Sequence, residues 1–283
     1  MLKKCFLLTS VLFCIKETFA QNSLNYFYNL SYKNPAFFSN QKVQIDVNSC
    51  SFYNALPLGI YGHGINILGQ NKKNIGGSLK IQRYSLGKNQ NQTESSFFAN
   101  YFSLLNFKKQ ITFGLGIKNI QNTIIDELLT TNLALDGLVY SYGKESSKKN
   151  SFLIPLGIDI SNEGFNLGAY YAKGIQIESQ YGVYAKLLTC TSNIKEYKAL
   201  NYTGLSVSKE FINSQIAITN TLEIDNYKID IFGHYNLKGG LKNFMTIGLG
   251  IHYHWKIFDL NIQSAYNNQR LGTSNQLGLQ MYF

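Results

Sequence analysis

Apolar and polar residues alternate along most of this chain. In Met245-Thr246-Ile247-Gly248-Leu249-Gly250-Ile251-His252-Tyr253-His254-Trp255 the odd positions are apolar or aromatic, and the even ones are Thr, Gly, Gly, His and His. Successive side chains of a strand point to opposite faces, so this segment has one greasy face along its whole length. Ile111, Phe113, Leu115 and Ile117 repeat the pattern against Thr112, Gly114, Gly116 and Lys118. Leu277, Leu279, Met281 and Phe283 repeat it against Gln276, Gly278, Gln280 and Tyr282. Segments of about ten residues match tilted membrane strands, and the Tyr253 and Trp255 end suits an interfacial aromatic girdle. Turn residues divide the chain into predicted strands at 43–53, 57–69, 74–86, 93–106, 109–120, 151–160, 164–173, 179–191, 200–209, 214–224, 227–237, 241–255, 258–267 and 275–283. The fold class they predict is all-β: an antiparallel up-and-down transmembrane β-barrel of about 14 strands, within a range of roughly 12 to 16.

The alternation fades at 121–150, which holds Ile124-Ile125-Asp126-Glu127-Leu128-Leu129 and Leu138-Val139-Tyr140. This segment reads as a long outer loop that folds over or into the barrel, with 124–129 as a helical turn, or as an extra hairpin that raises the count to about sixteen strands. If the last strand runs towards the periplasm, connections near 70–73, 107–108, 161–163, 192–199, 225–226 and 256–257 fall on that side. The longer connections at 87–92, 121–150 and 268–274, together with 210–213, fall outside, as barrels prefer. Residues 43–283 form the barrel, and residues 21–42 form an N-terminal segment that lies in the periplasm or plugs the lumen.

Composition fits this picture. The chain is 14% aromatic and only 15% charged, yet its longest early apolar run, Cys5 to Ile15, is too short for a membrane helix. Lys3 and Lys4, that apolar run, and Thr18-Phe19-Ala20 read as an export signal over 1–20, cut before Gln21. Phe13 is bulky where a lipoprotein signal at Cys14 needs a small residue. The remaining cysteines, Cys50 and Cys190, fall on strands that are not neighbours, so two unpaired thiols are expected. The net charge of +10 comes from scattered lysines, many in turns, with no basic helix or Arg-rich stripe. It suits solvated turns and anionic headgroups, not nucleic acid.

No nucleophile elbow, phosphate loop, zinc spacing or isolated carboxylate dyad is present, so neither an enzyme nor a cofactor is expected. Gly62-His63-Gly64 lacks the context of a dinucleotide loop. His252 and His254 share one strand face, which is compatible with metal binding. A tight turn at 256–257 instead sets His254 opposite Asp259, as a lumen-wall polar pair. Pairing around a 238–240 turn sets His234 opposite Phe244. Glu223 and Lys228 face each other across the 225–226 turn, followed by Thr221 and Asp230. These residues predict a polar network in a narrow lumen, with no metal.

Near the predicted mature N-terminus the chain reads Tyr26-Phe27-Tyr28-Asn29-Leu30, then Asn34-Pro35-Ala36-Phe37. This resembles the opening of the PorP/SprF family of Bacteroidetes outer-membrane proteins. Ile75-Gly76-Gly77-Ser78-Leu79, Phe113-Gly114-Leu115-Gly116, and Pro155-Leu156-Gly157-Ile158 with Phe165-Asn166-Leu167-Gly168 are similar to that family's glycine-rich strands and central hairpin. Asp136-Gly137 departs from the Asp-Pro that members often carry in the central loop. The resemblance implies a non-enzymatic barrel of the outer membrane, serving type IX secretion, gliding, or surface attachment of a secreted adhesin or repeat protein. Its implied partners are outer-membrane lipid, the secretion machinery and that secreted protein. Asn34, Pro35, Phe37 and Phe38 are the candidate docking residues, because Pro35 fixes the local backbone and two adjacent phenylalanines need cover. The rival reading is an outer-membrane pore, or a FadL-like transporter of small solutes.

Overall fold

The computed structural model describes residues 33–36, 43–52, 60–70, 74–86, 90–106, 109–134, 137–194, 197–210, 213–238, 245–267 and 273–283. They form fourteen antiparallel strands: β1 (Val43–Phe52), β2 (Ile60–Gln70), β3 (Ile75–Leu86), β4 (Gln90–Asn106), β5 (Lys109–Ala134), β6 (Gly137–Ser161), β7 (Phe165–Ile175), β8 (Gln180–Ile194), β9 (Tyr197–Glu210), β10 (Asn213–Ile224), β11 (Tyr227–Lys238), β12 (Met245–Trp255), β13 (Phe258–Asn267) and β14 (Thr273–Tyr282). Each strand pairs with its sequence neighbours, and β1 pairs with both β2 and β14, so the sheet closes on itself. Within the shared wall, closure pairs each strand on both sides and leaves no open edge, which is what a strand protein needs inside lipid.

The alternation in the sequence is the alternation of the wall. On β12, Leu249 and Ile251 are 48% and 49% exposed on the outer face, while Gly250 is buried and His252 is 9% exposed on the lumen side. Burial is inverted relative to a water-soluble domain. Among the described residues, Asp46, Asn66, Lys80, Asp230, Asn261 and Gln263 are buried, while large apolar side chains such as Leu79, Phe97, Ile117 and Ile231 are more than half exposed on the outer face. At the end where β1 begins and β14 finishes, here the near end, Tyr227 stacks at an angle on Tyr253 with ring centroids 5.0 Å apart. Trp255 stacks on Phe258 there at 6.4 Å. Asp225 and Lys256 take positive φ in the near-end turns, as two-residue hairpins demand.

Three expectations change in detail. The 121–150 segment is a hairpin, but it continues β5 and β6 to 26 and 25 residues and adds no strands, so the count stays at fourteen. Its register runs unbroken from Lys118↔Leu153 to Ala134↔Gly137. Pairing of β4 with β5 stops at Gln90↔Ile124, and that of β6 with β7 at Phe152↔Ile175, so the ribbon extends beyond the rest of the wall at the far end. Residues 192–199 are mostly strand, because β8 reaches Ile194 and β9 starts at Tyr197. His234 pairs with Thr246 and not with Phe244, because the connection after β11 is longer than a three-residue turn and moves the partner two positions along. Phe244 lies outside the described residues.

Candidate functional site

Among the described residues, the lumen is where this fold gathers its polar chemistry, and part of it is filled by the chain itself. Asn34, Pro35 and Ala36 lie inside the barrel, buried against β4, β5, β6 and β8. Asn34 Nδ2 donates to the Ile158 carbonyl at 3.2 Å and to the Tyr184 hydroxyl at 2.9 Å. Asn34 Oδ1 accepts the Ala36 N–H at 2.9 Å, which closes a local side-chain turn around Pro35. Asn100 Nδ2 reaches the Pro35 carbonyl at 3.4 Å. Pro35 fixes φ and has no N–H to satisfy, so this buried turn leaves one fewer polar group to pair.

Two glycines make the seat. Gly114 on β5 and Gly157 on β6 are partners in register. A Cβ on Gly114 would lie 2.2 Å from the Pro35 carbonyl carbon, and one on Gly157 would lie 1.8 Å from Asn34 Oδ1. The seat therefore has no room for any side chain. Behind it, the Tyr184 hydroxyl donates to Asp159, and Asn166 Nδ2 donates to the same carboxylate at 2.9 and 3.1 Å. The relay Asn34–Tyr184–Asp159–Asn166 ties the plug to β6, β7 and β8. The ring of Tyr184 lies over Gly168 of the neighbouring strand, which positions its hydroxyl.

Further charges line the rest of the lumen in two clusters of mixed sign. On β1 to β5, Lys118 Nζ meets Glu94 Oε2 at 2.5 Å. Lys80 lies in the field of Lys118, Glu94, Asp46 and Lys33, the residue just before the plug. Asp46 accepts from Gln44 at 2.6 Å and Asn66 at 3.1 Å. On β10 to β14, the strands that meet β1 from the other side, Glu223 faces Lys228 across the near-end turn with Nζ to Oε1 at 3.6 Å. His254 Nδ1 lies 2.5 Å from Asp259 Oδ1, and Tyr282 Oη donates to Asp259 Oδ2 at 2.5 Å. His252 turns instead to Asp230, with Nε2 to Oδ2 at 2.8 Å, and Thr221 donates to Asp230 Oδ1 at 2.6 Å. The two imidazoles are thus held by different carboxylates on different strands. Every acid in these clusters has a cation or donor beside it, an arrangement that satisfies buried charge and offers no free base.

The structure therefore places Glu223, Lys228, His254 and Asp259 as two contacting pairs, and links His252 to Asp230. Asp230, read from the sequence only as the neighbour of Thr221, is a centre of this network, and so is Tyr282. The signal for the bond from Asp230 to His252 was a register that sets Asp230 beside Thr221 and, on the other side, Gly250, which leaves room for a diagonal His252. Of the proposed docking residues, Asn34 and Pro35 sit in the lumen, while Phe37 and Phe38 lie outside the described residues. In the sequence the seat glycines Gly114 and Gly157 stand only as parts of glycine-rich strands. Their facing register would have marked a close approach. Cys50 and Cys190 sit on β1 and β8, which do not pair, and Cys190 is an exposed free thiol.

No protein-family model and no curated protein matches the chain. Solved structures do match it. A FadL homologue of Pseudomonas aeruginosa is 9% identical over 90% of this chain and 94% of that one, with a TM-score of 0.51. The KdgM porin is 13% identical, covering 85% of this chain and 99% of that one, with a TM-score of 0.40. A mutant of the Rh. blastica porin is 11% identical over 85% and 99% of the two chains, with a TM-score of 0.41. At such identities the likeness concerns the fold, and it is the FadL homologue that carries it: the chain is an outer-membrane-type β-barrel with a closed wall of fourteen strands.

Proposed function

We propose that this chain is a non-enzymatic barrel of the outer membrane that supports type IX secretion, or the surface attachment of a partner adhesin or repeat protein, and is not an open pore. One observation supports this most: the Asn34-Pro35-Ala36 segment that carries the resemblance to the PorP/SprF family is the segment the lumen is built to hold. A wall with a glycine pair cut to fit it, and a hydrogen-bond relay behind it, favours a plugged scaffold over a passive channel. In this reading Asn34 and Pro35 anchor the segment, and Phe37 and Phe38, which follow directly, are the docking residues for the secretion machinery. The lumen's paired charges serve to hold the wall rigid and not to do chemistry. The test is deletion of the gene, with comparison of secreted and surface-exposed proteomes against wild type. The reading expects selective loss of one or a few secreted surface proteins, restored by the intact gene. Unchanged proteomes would overturn it.

A FadL-like transporter of hydrophobic solutes is the second reading, favoured by one feature. Towards the far end the lumen holds an apolar cluster of Ile120, Leu153 and Ala172, with Ile177 of the β7–β8 turn packed on it. Under that reading the deletion leaves the surface proteome intact and impairs uptake of an apolar solute.

A further inference from the structure

The far end of the outer face carries a built polar surface just beyond the apolar belt. On β3, β4 and β5, Leu79, Phe97 and Ile117 occupy one register row and are 51%, 59% and 60% exposed. Two residues towards the far end, the row becomes Ile81, Ser95 and Asn119. Two residues further it is wholly polar: His63, Arg83, Thr93, Gln121 and Asn150, each paired with the next across β2 to β6. Gln121 Nε2 donates to Asn150 Oδ1 at 3.1 Å on this exposed face. Lys148 stands next above Asn150 on the same face of β6, paired with Thr123. Arg83 and Lys148 are exposed, and neither has a carboxylate partner among the described residues. The surface thus has a cation at each end, about 15 Å apart from the spacing of strands and residues, with hydroxyl and amide groups between them.

We propose that this face binds the phosphorylated saccharide headgroup of an outer-leaflet glycolipid. The two cations meet phosphates, the hydroxyl and amide row meets sugar hydroxyls, and the belt of Leu79, Phe97 and Ile117 below meets the acyl chains. Charge complementarity selects this occupant: a neutral acyl region alone matches the belt but leaves Arg83 and Lys148 unmatched at the level where headgroup phosphates lie. The inference rests on the reading that the far end faces outside, which the short near-end turns support.

The test uses the purified, delipidated full-length barrel in detergent, with intact lipopolysaccharide and enzymatically dephosphorylated lipopolysaccharide as probes, and native mass spectrometry as the readout. Each cation beside an anionic headgroup changes affinity about five-fold, so Arg83→Ala with Lys148→Ala weakens binding of the intact probe roughly 25-fold. Arg83→Lys retains binding within about two-fold, because a point charge still meets the phosphate. Lys209→Ala, on β9 and already paired with Glu178 at 3.0 Å, leaves binding unchanged. The dephosphorylated probe binds wild type as weakly as the intact probe binds the double variant. Heat-dependent gel migration confirms that each variant retains the barrel. Equal binding of intact lipopolysaccharide by wild type and a folded double variant would overturn the proposal, as would equal binding of both probes by wild type. Neither result touches the secretion reading, whose own test is the proteome of the deletion strain.

Discussion

Replacing Gly157 by Ala should unseat the N-terminal plug while leaving the barrel wall intact. The added Cβ would fall 1.8 Å from Asn34 Oδ1, well inside any permitted contact, so either Asn34 moves or β6 does. The strand is held on both sides by ladders to β5 and β7, whereas the plug is a short turn held by side chains. The plug therefore yields. A shift of more than about 1 Å breaks the bonds from Asn34 Nδ2 to the Ile158 carbonyl and to Tyr184. Each such bond contributes about 0.5–1.5 kcal/mol, and leaving a buried amide unsatisfied costs about 1–3 kcal/mol. A loss of about 2 kcal/mol corresponds to a fall of more than ten-fold in the seated population relative to the unseated one. The assay places Ala36→Cys in a background with Cys50 and Cys190 changed to Ser, in native outer membranes. Labelling by a membrane-impermeant maleimide is then timed with Gly157 intact and with the Gly157→Ala substitution added. Ala36 is fully buried, so the form that keeps Gly157 should label slowly and the Gly157→Ala form roughly ten-fold faster. Equal rates would refute the account of the seat. Gly114→Ala, whose Cβ meets the Pro35 backbone at 2.2 Å, should act in the same direction.

Other outcomes follow from the wall. Leu249→Arg, on the lipid face, should cost about 2–4 kcal/mol if it lies near the membrane midplane, read as a lower urea midpoint for folding into vesicles; no change would mean that this face does not meet lipid. Glu94→Ala removes the carboxylate from Lys118 and from the field of Lys80, and should destabilise the barrel by about 3–5 kcal/mol. Adding Lys118→Met to Glu94→Ala should recover much of that loss in thermal melts, and failure to do so would show that the pair is not what Glu94 supports. Purified protein should hold no stoichiometric zinc or copper, because His252 and His254 are engaged by different carboxylates; metal that is lost on changing both histidines would contradict this.

The wall was legible in the sequence because lipid imposes a rule that every strand must obey. Alternation marked which of Leu249 and Gly250 faces out, and tight turns such as 225–226 and 256–257 fixed registers across them. Two-residue turns leave little choice of partner, so Glu223 opposite Lys228 and His254 opposite Asp259 could be placed by counting. His234 pairs two positions from its expected partner because the connection that follows it has no such short turn. The β5–β6 extension is obscured because beyond the shared wall nothing demands a strict greasy face, and Leu128-Leu129 and Asp126-Glu127 break the alternation. The plug was hardest to see. Its seat depends on the absence of side chains at Gly114 and Gly157, and on Tyr184, which lies 150 residues from Asn34 in sequence. A glycine in a strand has several meanings, and only the three-dimensional register shows that these two face the same turn.

Single-channel recording of the purified full-length protein in a planar bilayer tests the central claim most directly. The account predicts no sustained ion conductance from the wild-type barrel at low voltage, because Asn34, Pro35 and Ala36 occupy the lumen and the charged clusters narrow the rest. It also predicts that Gly157→Ala introduces discrete openings. A steady, ohmic conductance from the wild-type barrel, unchanged by Gly157→Ala, would contradict the claim that the lumen is built around its own N-terminal segment.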